Sequence, residues 1–502
     1  MNNYDKMKYS VKWNFLVNRN TALIVAMFLI FSFQSKAQNQ ANHWAFGDSV
    51  GIDFNTSPPS IDTTIIIATD EPSASISDNN GNLLFYVGSA SLVQSIPAGK
   101  KYVVRNFNDS VMQNGDSLDG HTSMTQGLII LPDPGDSMKY YIFQKNVSIN
   151  NFFYSIVDMS VNVGLGGVIS LNNYLTDSLN EKMHAVKAAN GKDWWILKHK
   201  IDNNDFVRFK LDSIGIHGPY IQSFGVNSDY KCAAGQMIFS KNGDKLLFAG
   251  LAGYTTLIDF NRCSGLLSNE IVLDTFPDGI NTTSSGRYGC SFSPTGHFAY
   301  VSAFDSLWQF DLTATNIPAS KILIWGFAHS GSPIRVMGQQ MLAPNGKIYI
   351  ANEKSGNTYD SLCTYLSVIN DPDSPGLSCN FAPYSFSLNN RTSTGSLPNM
   401  PNYNLGVLEN VNCDSILASV DYQSSSNKSN VLVYPNPSSG IFYFEMLDES
   451  KIQNLDVINI TGEVIFTGNS KEIDLRDFPS RIYFYRVMDQ KQQWYFGKLV
   501  KE

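Results

Sequence analysis

The sequence contains no H-E-x-x-H, no G-x-S-x-G, no G-x-x-x-x-G-K-[ST] and no G-x-G-x-x-G. Those spellings set two imidazoles on zinc, a serine on a strained elbow or a backbone cradle around phosphates, so their absence removes the usual zincin, serine-hydrolase and nucleotide-binding readings. There is no C-x-x-C either, which removes zinc-ribbon and thioredoxin-like readings. Charge is scarce, at 16% of residues, with 36 Lys and Arg against 44 Asp and Glu and a net charge of −8. A surface that neutralises nucleic-acid phosphates needs concentrated cations, so nucleic acid is not an expected partner. The seven histidines, His43, His121, His184, His199, His217, His297 and His329, stand singly. A lone histidine in a β-protein is more often a satisfied structural side chain than a ligand, and no metal or cofactor is expected. DPDSPG (371–376) has Pro375 where a calcium loop needs a ligand and Ala382 in place of the closing glutamate, so it reads as a turn.

What the chain does carry is glycine, 37 residues, and aromatics, 12%, the balance of many short strands separated by turns. Gly235 to Gly250, GQMIFSKNGDKLLFAG, has apolar residues on both sides of a Ser/Lys/Asn/Gly connection, the pattern of a β-hairpin whose Gly243 supplies a positive φ. Variants recur at 73–87, 127–143, 183–200, 288–302 and 338–352. Their turn glycines, Gly81, Gly135, Gly191, Gly243, Gly296 and Gly346, lie 50 to 56 residues apart. Additional apolar runs such as TTLIDFN (255–261) and EIVLDTF (270–276) bring each period to four strands, the content of one propeller blade. Residues 38–412 hold about seven periods, which predicts an all-β fold, a seven-bladed β-propeller. Its seventh blade is expected to be composite, made from Phe381 to Leu408 and closed by HWAFGDSVGIDF (43–54). Six or eight blades, or an open solenoid, stand as alternatives.

Lys6, Lys8, Lys12 and Arg19 precede the apolar run TALIVAMFLIFSF (21–33), and Ser35-Lys36-Ala37 offers small residues where a signal peptidase cuts. Residues 1–37 therefore read as a signal peptide, leaving a mature chain without a transmembrane span; an uncleaved anchor is the alternative. In an exported chain the six cysteines are free to bridge. Cys363 with Cys379, the closest pair, is the expected disulfide, and buried thiols are the alternative.

Residues 413–430 are Ser-rich and lack strand periodicity, the composition of a linker. From Val431 the runs VLVYP, IFYFEML, LDVINI, EVIFTG, RIYFYRV and WYFGKLV, with turn signals between them, predict a small Ig-like β-sandwich over 431–502. Tyr434-Pro435-Asn436-Pro437 with Gly440, Leu455-Asp456-Val457, Asn459, Gly462-Glu463-Val464, Ile473-Asp474-Leu475, Pro479, Ile482-Tyr483 and the closing Lys498-Leu499-Val500-Lys501-Glu502 follow in order. This tail resembles the type A C-terminal sorting domain of type IX secretion cargo in Bacteroidota. One departure is Arg481, where that family usually has glycine. The resemblance implies passage through the periplasm, recognition by the outer-membrane translocon, and removal of the tail as the cargo is released or attached to surface lipopolysaccharide. Its sorting residues map onto Pro435, Asn436, Pro437, Gly440, Gly462, Lys498, Leu499 and Val500. The body resembles the propeller cargo found ahead of such tails, a likeness that brings a fold and no chemistry.

In a propeller the residues that open each inner strand converge at the mouth of the axial funnel. That rule nominates Ser123, Gln126, Glu181, Lys182, His184, Gln236, Arg287, Tyr288, Gln339 and Gln340 as ligand-binding candidates, against their being solvated or inter-blade residues. Trp194 and Trp195 would stack a sugar, but neighbours on a strand face opposite sides, so at least one is packing. Asp-Ser or Asp-Thr pairs at 48, 62, 109, 116, 136, 177, 212, 305, 360 and 414 resemble the O-glycosylation sequon of Bacteroidota exported proteins and equally suit turns. The expected role is a non-catalytic binding or adhesion module for a glycan or protein ligand. The rivals are a polysaccharide hydrolase or lyase, which needs two carboxylates or a carboxylate and a histidine in the funnel, and a structural part of the envelope or gliding apparatus.

Overall fold

The computed structural model describes residues 39–89, 101–146, 150–227, 233–251, 253–275, 287–303, 306–326, 335–354, 361–409, 413, 431–447, 450–459, 464–490 and 494–502. The signal segment 1–37, the linker 414–430, Cys232, His329, Gly462, the Asp-Ser pairs at 305, 360 and 414 and the side chain of Arg287 lie outside the described residues. The chain forms two compact units, Met1–Leu417 and Ala418–Glu502.

Among the described residues the first unit contains seven antiparallel sheets, six of four strands and one of three. The three-stranded sheet is β1 (His43–Phe46), β2 (Val50–Asp53) and β3 (Ser60–Asp62). It is followed by β4–β7 (Ser73–Ser77, Leu83–Ser89, Lys101–Asn106, Leu118–Asp119) and β8–β11 (Leu128–Pro132, Lys139–Asn146, Asn151–Asp158, Gly167–Asp177). Next come β12–β15 (Leu179–Lys187, Trp194–Lys200, Asp205–Asp212, Gly215–Ser223) and β16–β19 (Gly235–Phe239, Lys245–Gly250, Tyr254–Phe260, Leu267–Thr275). The last two are β20–β23 (Arg287–Phe292, Phe298–Ala303, Ser306–Asp311, Ile322–Gly326) and β24–β27 (Arg335–Leu342, Ile348–Lys354, Tyr365–Ile369, Phe381–Ser387).

Each sheet is a meander in sequence order, and the first strands pack in succession, β1 on β4, β4 on β8, β8 on β12 and onward to β24. The ring closes through side chains: Tyr349 of β25 lies 5.7 Å from Trp44 and 5.6 Å from Phe54, ring centre to ring centre. This is a β-propeller. Its sheets are too narrow to fold alone and are stabilised by burying both faces against neighbours, as the continuous core from Trp44 through Phe143 to Tyr349 shows.

The turn chemistry follows the sequence. Gly81, Gly191, Gly243, Gly296 and Gly346 have φ between +69° and +92°, and acceptors such as Asp78 Oδ1, bonded by the amides of Asn80 and Asn82, hold the hairpins. Gly135 has no positive φ; what favours glycine there is a close approach, since a Cβ would sit 3.0 Å from the Ser213 carbonyl of the next sheet and the neighbour would have to shift by a few tenths of an ångström.

Two expectations are corrected. The composite blade does not form: Phe381–Ser387 completes the β24–β27 sheet, while the N-terminal strands pair among themselves and with β3. Cys363 and Cys379 are buried thiols, and the disulfide joins Cys263 to Cys413, whose Cα atoms are 5.3 Å apart. Proximity in sequence misled because Cys379 is buried with Tyr300 and Ile369 in the core shared by the last two sheets, and the chain brings Cys413 back to the β18–β19 turn.

Residues 388–409, left over from the expected blade, contain no strand and run along the ring's axis. Asn399 donates its amide to Ser73 O of β4 (2.9 Å) and its Nδ2 to Leu128 O of β8 (3.0 Å) and Met183 O of β12 (2.9 Å). Leu397 N donates to Gln339 Oε1 of β24 (2.9 Å), and Tyr403 Oη to Ile130 O (2.9 Å). Only a chain on the axis meets so many inner strands at once. Gly338 permits the approach: a Cβ there would lie 1.9 Å from Gly395 O.

The second unit is a sandwich of β28 (Val431–Tyr434), β29 (Ile441–Met446) and β32 (Glu472–Asp474) on β31 (Val464–Gly468), β30 (Ile452–Ile458), β33 (Ile482–Asp489) and β34 (Trp494–Val500). Phe442, Phe444, Leu455, Tyr483, Val487 and Leu499 fill its core. Asn436 binds the last strand from both sides, Nδ2 to Lys498 O and Oδ1 from Val500 N (2.7 and 2.8 Å). Arg481 is exposed and is not among the residues with positive φ, so its side chain is accommodated where glycine is usual.

Candidate functional site

The inner strands all begin at one end of the axis, and their opening residues form a polar cluster there. Tyr288, second residue of β20, donates to Glu71 Oε1, and Ser123 Oγ donates to Glu71 Oε2 (3.0 Å). Thr125, just ahead of β8, donates both its amide and its hydroxyl to Glu181 Oε2 (3.0 Å each), and its hydroxyl lies 3.3 Å from that of Tyr288. Two carboxylates are thereby joined through two hydroxyls. Glu181 Oε1 has no partner among the described residues. Burial first, then the charge of Glu181, pushes the Glu71 carboxyl up to about 7, against the lowering effect of its two donors. Burial and the neighbouring Glu71 hold the Tyr288 phenol well above its ordinary value.

Three fully buried lysines stand behind Glu181. Lys198 Nζ donates to the carbonyls of Asn180 (2.9 Å) and Glu181 (3.4 Å), fixing the main chain that carries the carboxylate. Lys182 Nζ donates to Ala233 O (3.3 Å) and lies 4.5 Å from the Phe248 ring centre. Lys145 Nζ donates to Asn150 Oδ1 (2.5 Å). Burial brings Lys145 down to about 8 and Lys198 well below its ordinary value.

Beneath the cluster lies a floor of amides. Gln126 Nε2 donates to Met237 O (2.9 Å) and its Oε1 accepts from Met237 N (2.8 Å). Gln236 donates to Gln340 O (2.7 Å) and accepts from Cys290 N (2.9 Å) and Gln340 N (3.0 Å). Gln339 donates to Thr125 O, and Gln340 Nε2 to Gly289 O (3.3 Å). With Asn399 these side chains satisfy the inner-strand groups facing the axis, and residues 388–409 close the funnel below them.

The nominated residues therefore divide by depth. Ser123, Glu181 and Tyr288 meet in the cluster. Gln126, Gln236, Gln339 and Gln340 are buried in the floor, and Lys182 and His184 are buried between strands. His184 accepts from Phe239 N (3.5 Å), and burial brings it down to about 4. Trp194 and Trp195 are both packing, their indole N–H groups bound to Pro132 O (3.1 Å) and Arg262 O (3.0 Å). The DPDSPG segment is an inter-blade strut: Tyr300 Oη donates to Pro372 O (2.8 Å), and Gln309 bonds Ser374 O (2.9 Å) and Gly376 N (2.7 Å). Sequence reasoning missed Glu71, Thr125 and Asn399. Glu71 precedes β4 as the nominated residues precede their own strands, so the same rule applied to the first period finds it. Among the described residues no group of three or more His, Cys, Asp or Glu is arranged to hold a metal ion.

No curated protein matches the chain in sequence. Solved structures similar to it include a protein from Lactobacillus plantarum (10% identity, TM-score 0.43, covering 71% of this chain and 98% of that one). Another is a putative 6-phosphogluconolactonase from Bacteroides fragilis (13%, 0.41, 65% and 89%). A third is the periplasmic gluconolactonase of Pseudomonas aeruginosa (10%, 0.37, 81% and 93%). Residues 432–502 match the family described as the secretion system C-terminal sorting domain. No helix among the described residues is long and apolar enough to cross a membrane. The β-sandwich at the end of this chain belongs to the sorting domains of type IX secretion, and the propeller is cargo exported to the cell surface or beyond.

Proposed function

We propose that the exported propeller is a non-catalytic binding or adhesion module that takes a hydroxyl-rich ligand, a glycan or the glycan-like face of a protein, in the head of its funnel. The observation that carries this reading is the closed, amide-lined floor beneath a rim of Ser123, Glu181 and Tyr288. Glu181 Oε2 is pinned by Thr125 while Oε1 lacks a partner among the described residues, the arrangement of a carboxylate that accepts from a ligand hydroxyl. After tail removal the module acts either released or held on surface lipopolysaccharide. The test is a glycan array probed with the mature chain, followed by titration of the Glu181→Gln variant. Retention weakened at least tenfold by that change is expected; an array with no retained sugar overturns the reading.

A second reading rests on Glu71, whose proton is held to about 7 beside another carboxylate. It is acid–base hydrolysis of a polysaccharide: Glu71 gives its proton to the leaving glycosidic oxygen, Glu181 takes one from the attacking water, and the bond from carbon to the leaving oxygen is replaced by one to water. Turnover of a retained glycan, with a rate that falls as pH rises through about 7, selects this reading; retention without turnover selects the first.

A further inference from the structure

The axial segment that floors the funnel has a second set of fastenings near its end. Arg262, in the turn between β18 and β19, sends its guanidinium to four carbonyls: Lys187 O (2.9 Å), Ala188 O (3.0 Å), Gly406 O (2.5 Å) and Asn242 O (3.5 Å). Leu408 N donates to Ala189 O (2.7 Å), and Asn402 Nδ2 to Lys241 O (2.8 Å). The next residue, Cys263, is bonded to Cys413, 150 positions later. One turn thus grips the exit of the axial segment with a guanidinium and then closes it covalently. Upstream, the segment adds no strand to any sheet; its hold on the ring is side-chain and isolated main-chain bonds together with the burial of Leu397, Met400 and Tyr403. These three residues anchor the segment in the core, but without a shared ladder it is able to open apart from the sheets, and a crosslink at its end restricts that freedom.

We infer that Cys263–Cys413 is a latch: oxidation fixes residues 388–409 along the axis, so the floor of the funnel becomes permanent only in an oxidising compartment. Reduction by a dithiol breaks the S–S bond, adds two electrons and two protons to give two thiols, and oxidises the reductant to its cyclic disulfide. Both cysteines are half-exposed, within reach of such a reagent.

Hydrogen exchange on the full mature chain tests this, comparing the oxidised protein with the same protein in dithiothreitol and with Cys413→Ser. The amides of Leu397, Asn399 and Leu408 are expected to exchange at least tenfold faster in both latch-free forms, with those of Leu246, Leu247 and Phe248 in β17 unchanged. Unchanged protection of the axial segment overturns the inference. Equal loss across axial segment and β17 overturns it too, since the disulfide then stabilises the whole ring rather than one strap. Dithiothreitol acts after folding, so a Cys413→Ser chain that fails to fold leaves that arm decisive.

Discussion

Tyr288 donates its phenolic hydrogen bond to Glu71 across 217 residues of sequence, tying the lead-in to β4 to the inner strand β20 on another part of the ring. The bond brings a half-buried carboxyl into the same hydroxyl-linked group as Glu181, and several measurable properties follow from that placement.

Stability should carry a pH signature of Glu71. The folded protein holds this proton to about 7 and the unfolded chain only to the ordinary carboxyl value of 4.5. Between those values the folded state binds more protons, so stability is greatest below the window and falls as pH rises through it. The loss is about 2–3 kcal/mol, allowing for solvent on the exposed side. Glu71→Gln should abolish this slope and be the more stable protein at alkaline pH, as read by denaturant titrations across the window.

Asn399→Ala removes two donated bonds and leaves Leu128 O and Met183 O buried without them. A cost of about 2–4 kcal/mol is expected, because unmet buried carbonyls lose hydration as well as the bond. The urea midpoint should drop with little change in slope.

Two glycines separate steric need from conformational need. Gly338→Ala would place a methyl 1.9 Å from Gly395 O, a backbone atom, and should cost more than about 3 kcal/mol or prevent seating of the axial segment. Gly346 has φ +78° and open space around it, so Gly346→Ala should cost about 1 kcal/mol. Thermal unfolding of the pair decides this.

Deleting Val431–Glu502 should leave the folded propeller in the periplasm, since residues 432–502 are the sorting domain. Fractionation of expressing cells reads the outcome; normal appearance in the medium would refute the assignment. Arg481→Gly should leave export unchanged, because the arginine is exposed and its φ lies outside the left-handed region.

The repeating hairpins were legible because a tight turn needs a local signal, and Gly81, Gly191, Gly243, Gly296 and Gly346 supply it within a few residues. Ser123, Glu181 and Tyr288 were legible through their position before or at the start of inner strands. The axial segment was not. Its residues show no period because each serves a different partner: Asn399 answers carbonyls 271 and 216 positions away, and Tyr403 one 273 away. Cys263–Cys413 escaped for the same reason, its closeness being a product of the closed ring. The amide floor was half-read: the glutamines at the heads of the strands were found, but only tertiary contacts reveal that they satisfy backbone groups.

The three-stranded sheet β1–β3 has one further consequence. Its strand pairing is internal to residues 43–62, so among the described residues the first and last sheets share no hydrogen-bonded ladder; they meet where Trp44 and Phe54 press on Tyr349, with single bonds beside that contact such as Asp48 N to Thr392 O (2.9 Å) and Arg391 to Thr63 O (2.9 Å). The first blade is therefore able to assemble as soon as it is made, without waiting for the last. What completes the circle is an apolar seam pinned by isolated bonds, and a seam without a zipper parts and reseals more readily than one stitched by a shared strand.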